Sequence, residues 1–261
     1  MNLRIHRLAA PLLATLLFLP FIPMGLWTIA NKWQFPNFWP QELGLRGWRL
    51  FIQNGGYSAI FNSFVIGALV VAVVVPLSFM AAAALSQAES IVTKILSGIL
   101  FLPVFLPPFV LVMGVTTGSV EINLSAKVGV ILTLSVLALP YSTFILRSAL
   151  LNYGSRWEEE GKLLGAKNRH LIFMIRIPML RNAILAAALV AFLIGWSDYI
   201  VTLTVGGGQV LTLPILIGSS VSAPGNDAAL AAMSVASIGL PVLLIFVIRA
   251  LTSKWKIGDA K

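Results

Sequence analysis

The chain has 261 residues, 58% hydrophobic and 10% charged, with a mean hydropathy of +0.93. A soluble domain usually carries about 25% charged residues, so too few are present to coat a water-facing surface and the exterior must face lipid. With no cysteine and only His6 and His170 as imidazoles, disulfide frameworks and thiolate metal sites are excluded and no metal is expected.

Apolar runs long enough for a hydrocarbon core, which takes roughly 20 residues, occur at Leu8–Ala30, Ala59–Leu85, Ile95–Thr117, Val128–Leu151, Ala183–Val205 and Ala228–Leu251. They predict an all-α polytopic membrane protein of six transmembrane helices in one domain, because barrel strands would be about half that length. The first run follows Arg4 and Arg7, exceeds a signal-peptide core and lacks a clear small-residue cleavage site, so it is expected to be retained. Pro20 and Pro23 should bend it, and Pro103, Pro107 and Pro108 should bend or unwind the third.

With both termini cytoplasmic, the inner segments hold 14 of the 18 Lys and Arg, leaving Lys32, Arg46, Arg49 and Lys127 outside. That is the positive-inside bias of a bacterial inner (cytoplasmic) membrane protein. The net charge of +9 then needs no nucleic acid. The outer segment Asn31–Tyr57 carries Trp33, Trp39 and Trp48 as interfacial anchors. A second outer segment, Gly206–Asp227, has no Lys or Arg, and its apolar Leu211–Ile217 is expected to dip back toward the membrane. No internal repeat of the secondary-transporter kind is evident.

The longest inner loop, at about 155–182, reads SRWEEEGKLLGAKNRHLIFMIRIPMLRN. Trp157–Leu164 predicts a short helix with Glu158, Glu159 and Glu160 at its positive N-terminal end. Gly165 suits a left-handed terminus, Asn168 a cap for a second helix over Arg169–Ile177, and Pro178 a stop or kink.

This loop resembles the EAA loop of permeases in type I ABC importers, whose pattern is Glu-Ala-Ala, three residues, Gly, nine residues, then Ile-x-Leu-Pro. Glu159, Gly165 and Ile175-Arg176-Ile177-Pro178 keep that spacing, while Glu160 and Gly161 replace the alanines and Ile177 the leucine. The departures leave a helix-turn-helix reading intact, though Gly161 should loosen the first helix by roughly 1 kcal/mol relative to Ala. The run LTVGGGQVLTLPILIGSS from Leu203 also looks like the polyamine, iron and thiamine branch, and the likeness covers about Tyr141 to Lys254.

The resemblance implies a non-catalytic permease that conducts a small solute, polyamine-like or otherwise charged, delivered by an extracytoplasmic solute-binding protein. It implies a second permease subunit, identical or related, and two cytoplasmic ATP-binding subunits that use ATP and Mg; the chain itself would bind no cofactor. Glu159, Gly165, Ala166 and Pro178 are then the expected coupling residues. The alternative reading of the loop is an amphipathic segment resting on lipid headgroups.

No Gly-x-x-x-x-Gly-Lys-Ser/Thr run occurs, and no nucleophile–base pair falls in a plausible pocket, so neither ATP hydrolysis nor other catalysis is expected. Asp198 is the one acid well inside a predicted crossing, roughly 22 Å along the fifth helix. Gly195, Asp198, Tyr199 and Thr202 would share one helical face, lining a translocation path suited to a cation or forming a structural hydrogen-bond site. Trp196 points to another face and reads as packing or lipid contact. An ATP-independent secondary transporter or channel is the alternative function, and a membrane scaffold a third.

Overall fold

The computed structural model describes residues 15–253 apart from 35, 88–89, 122–123, 154–155, 222–224 and 226. These fall into two compact units. One draws on Met1–Ile60 and Leu213–Leu240, the other on Phe61–Thr212 and Pro241–Lys261.

In the first unit, an apolar helical stretch Thr15–Thr28 contains helix α1, Phe21–Thr28, whose entry is set by Pro20 at the capping position. Of the first predicted crossing, residues 8–14 lie outside the described residues, and the rest is shorter than a full span. A small antiparallel ladder follows, β1 (Ala30–Lys32) against β2 (Glu42–Leu43), pairing Ala30 with Leu43 and Lys32 with Glu42. The all-α expectation did not include it. Trp27 and Trp33 lie 5.0 Å apart between ring centroids, and Trp48 of α2 (Arg46–Gln53) meets Phe51 edge-on at 6.0 Å. Helix α2 packs on α1 and β1.

The second unit is built on long helices. Its part of α3 (Gly56–Gln87), with α6 (Ala126–Tyr153), supplies a core of Ile66, Val70, Val74, Val130, Leu134 and Ala138. Apolar chains in lipid gain little from burial against one another, so close packing and internal hydrogen bonds must hold such helices together. Three buried hydroxyls are satisfied by their own helix: Ser78 donates to Val74 O at 2.5 Å, Thr133 to Gly129 O at 2.7 Å and Ser135 to Ile131 O at 2.7 Å. Across helices, Ser142 of α6 donates to Ala187 O at 3.2 Å.

The third predicted crossing is not one straight helix. It consists of α4 (Ile91–Phe105) and α5 (Pro108–Glu121), bent by 102°. Leu106 sits between them at ψ 137°, the extended conformation forced on a residue that precedes proline, and Pro107 has no N–H to continue the ladder. Pro103 is accommodated within α4. Serine 90 caps α4: its hydroxyl accepts from Thr93 N–H at 3.2 Å, while Thr93 Oγ1 accepts from Ser90 N–H at 3.0 Å.

The described residues thus contain four single helices long and apolar enough to cross a membrane: Gly56–Ser86, Ala126–Tyr153, Asn168–Ser197 and Asp227–Ala250. The bent pair makes a fifth when taken as one span. The apolar stretch after the glycine triplet is helical as α10 (Leu213–Val221), with Leu213 and Leu216 buried, and α11 covers Asp227–Ser253.

Candidate functional site: an exposed loop joined to a broken helix

Between α6 and the next long helix, Arg156–Leu163 forms the short helix α7. It closes as a Schellman turn. Ala166 N–H donates to Gly161 O at 3.0 Å, Gly165 N–H donates to Lys162 O at 2.9 Å, and Gly165 takes φ +79°. The local geometry matches what was expected at Gly165. At Gly161 the helices come close, since a Cβ there would lie 2.5 Å from Leu171 Cδ2; a small residue at this position suits the packing.

The second half of the loop departs from expectation. Lys167, not Asn168, occupies the capping position, and it makes no side-chain cap. From Asn168 the chain runs on without interruption to Ser197 as helix α8, containing a π-helical stretch over Leu171–Arg176. Pro178 therefore neither stops nor separates the segments. It lies in the first turn after the π stretch, where the register has already slipped by one residue and a missing N–H is tolerated. The second half of the loop, from Asn168, and the long apolar helix are one continuous rod.

Glu159 and Gly165 are exposed, Ala166 is half-buried and Pro178 is exposed. Beside them stand Leu163 and Leu164, 87% and 88% exposed, with Phe173 and Met174 also outward. A cavity of about 580 Å³ is lined there by Gly165, Ala166, His170, Leu171, Met174 and Ile175. Spacing alone pointed to Glu159 and Gly165; the exposed leucines were missed, although two adjacent apolar residues just before a helix-ending glycine were a legible signal.

At the far end of the rod, the expected continuous face through Gly195, Asp198, Tyr199 and Thr202 is absent. Helix α8 ends at Ser197, Asp198 is extended at φ −72° and ψ 132°, and a new short helix α9 covers Ile200–Thr204. Ser197 and Asp198 both offer side-chain alternatives to the backbone ladder. Ser197 donates to Leu193 O at 2.7 Å, while Asp198 Oδ2 accepts from Thr202 N–H at 2.8 Å and from the Thr202 hydroxyl at 3.1 Å. Asp198 thus serves the free donors of α9 as a capping side chain.

Gly195 is buried against α3, and Thr202 is only 1% exposed. Tyr199 is exposed and Asp198 half-buried. Trp196 is buried and stacked on Phe192 at 5.8 Å, which makes it a packing residue. Just beyond α9, Asn62 Nδ2 of α3 donates to Leu211 O at 3.0 Å, pinning the start of the apolar stretch. No group of three or more His, Asp or Glu side chains able to hold a metal occurs among the described residues.

Residues 74–257 match the family of binding-protein-dependent transport system inner membrane components. The inner membrane ABC transporter permease protein YnjC of Escherichia coli K12 is 31% identical over 60% of this chain and 30% of its own length. The putrescine transport system permease protein PotI of the same strain is 30% identical over 46% of this chain and 43% of its own. The match therefore spans less than half of either relative. In fold, the chain is similar to the crystal structure of a bacterial ABC transporter involved in the import of the acidic polysaccharide alginate. The TM-score is 0.73 at 13% identity, covering 97% of this chain and 95% of that one. The spaced Glu–Gly–Pro loop, the apolar helices and a family match over most of the chain together place it among the binding-protein-dependent inner membrane components, the permeases of type I ABC importers.

Proposed function

We propose that this chain conducts a small solute across the inner membrane, receiving it from an extracytoplasmic binding protein. In this reading two separate cytoplasmic ATPases, which use ATP and Mg, drive a pair of permease subunits. The observation that carries the reading is the uninterrupted helix from Asn168 to Ser197. The helix starts three residues after Gly165 and ends beside Asp198, so a displacement of the loop has a continuous hydrogen-bonded path to the break. The exposed Leu163, Leu164, Phe173 and Met174 supply the apolar surface a cytoplasmic partner would cover. Glu159 adds an exposed charge at its edge.

Coupling is assigned to Glu159, Gly165 and Ala166, with Pro178 inside the rod. Of the pathway residues, Asp198 and Tyr199 are the ones assigned to solute contact, while Gly195 and Thr202 hold the bend. For cargo we propose a small cation of the polyamine kind. The half-buried carboxylate supports this, as does likeness to relatives named for putrescine and spermidine transport, although others are named for trehalose, molybdenum and lactose. Both termini and the loop are assigned to the cytoplasm on the distribution of Lys and Arg.

The test is purification from membranes followed by reconstitution with the binding protein. An ATP-binding protein should co-purify, and uptake of putrescine should require ATP. Glu159→Lys should abolish uptake at normal protein level. Flux without ATP, and without an ATPase partner, would establish a secondary transporter or channel instead.

A further inference from the structure

The second unit contains another cavity of about 580 Å³ that the transport reading does not use. Its walls come from Leu85 at the end of α3, from Thr93, Lys94, Ser97 and Phe101 on α4, and from Arg147 on α6. Two cations on separate helices border one space, and among the described residues no carboxylate lines it. Like charges sharing a site repel unless an anion lies between them. Arg147 Nε is buried and donates to no protein acceptor among the described residues, which leaves a charged donor unsatisfied unless a ligand takes its hydrogen.

The surroundings narrow the anion. Helix α4 has no buried residue along Ile91–Phe105, and Ile91, Leu102 and Phe105, on or beside the helical face that carries Lys94 and Phe101, are all more than half exposed. A small free anion would draw nothing from that apolar face. A phosphodiester carrying acyl chains uses both parts: its charge meets Lys94 and Arg147, and its chains lie along α4. Lys94 is exposed at the polar edge of this face, from which a flexible ammonium can reach a headgroup.

We infer that this cavity holds the phosphate of an anionic phospholipid, with Lys94 and Arg147 as its donors. Basic pockets between transmembrane helices bind anionic headgroups in this way.

The full chain, purified in detergent, is titrated with phosphatidylglycerol and with phosphatidylcholine of the same chains, and bound lipid is counted by native mass spectrometry. Phosphatidylglycerol should bind several-fold more tightly. Lys94→Gln, which leaves the buried residues untouched, should weaken that preference about fivefold, the worth of one cation near an anionic headgroup. Lys94→Arg should keep it, and Arg147→Gln should weaken it at least as much in protein that retains its melting temperature. Lys167→Gln removes the same charge outside the cavity and should leave the preference intact. Equal binding of the two lipids, or an equal effect of Lys94→Gln and Lys167→Gln, would overturn the site. Displacement of phosphatidylglycerol by equimolar inorganic phosphate would show free phosphate to be the ligand and overturn the lipid assignment.

Discussion

Gly195 of α8 lies backbone to backbone on Gly67 of α3: a Cβ built on Gly195 would stand 2.8 Å from Gly67 Cα and 3.3 Å from Val70 Cγ2. Small residues at a crossing let two helices approach closely in lipid, where packing replaces the hydrophobic effect as the source of association. Backbone cannot step aside as a side-chain tip can. Gly195→Ala should therefore cost about 1–3 kcal/mol, the usual range for overpacking, and Gly195→Val more. Melting temperature in detergent is the measurement. A Gly195→Val protein that melts like the wild type would show that α3 and α8 do not touch there.

Asp198 is expected to act first on structure, through the two bonds that Oδ2 accepts from Thr202. Asp198→Ala removes both and should destabilise the protein by about 2 kcal/mol, since bonds to a charged group are worth roughly 1.5–3 kcal/mol and capping losses are of similar size. Asp198→Asn keeps an acceptor and should cost about half as much. If solute also meets this carboxylate, Asp198→Asn lowers cation flux by far more than its small change in melting temperature explains. Flux that simply follows stability through Asp, Asn and Ala would leave Asp198 a capping residue alone.

At Gly165 the left-handed backbone makes residue type decisive. A β-branched side chain at φ +79° is strained by roughly 1–2 kcal/mol, whereas asparagine tolerates that region. Gly165→Val should open the turn after α7, raise protease cutting between Leu164 and Lys167, and release the ATPase during purification. Gly165→Asn should retain most of the association. Equal loss with both variants would mean that the partner needs the absence of a side chain rather than the turn.

Much of the fold was legible in the chain because lipid imposes simple demands. Few charges, long apolar runs and basic residues gathered between particular runs predicted six membrane-crossing helices, and the described residues contain four long and apolar enough to cross, with a bent pair as a fifth. Local rules also read correctly where one residue's own chemistry dominates: Gly165 is left-handed because glycine pays no Cβ penalty there, and the third apolar run bends at Pro107 as its prolines led one to expect.

Only the tertiary structure decided where helices break and where they continue. Pro178 looked like a stop, yet a π stretch over Leu171–Arg176 takes up the register and the helix continues to Ser197. Asp198 looked like one rung of an uninterrupted polar face, yet its carboxylate turns to Thr202 and the helix ends before it. In both places a shifted register or a side-chain acceptor replaces the regular ladder, and periodicity does not show such replacements. Packing of neighbouring helices, such as Gly195 against Gly67, favours one arrangement over the other. Composition required a membrane protein, and the loop's spacing carried the resemblance to importer permeases; that the stretch from Asn168 and the bend at Asp198 are the two ends of one helix was decided only in the fold, where α8 packs closely on α3 and α6.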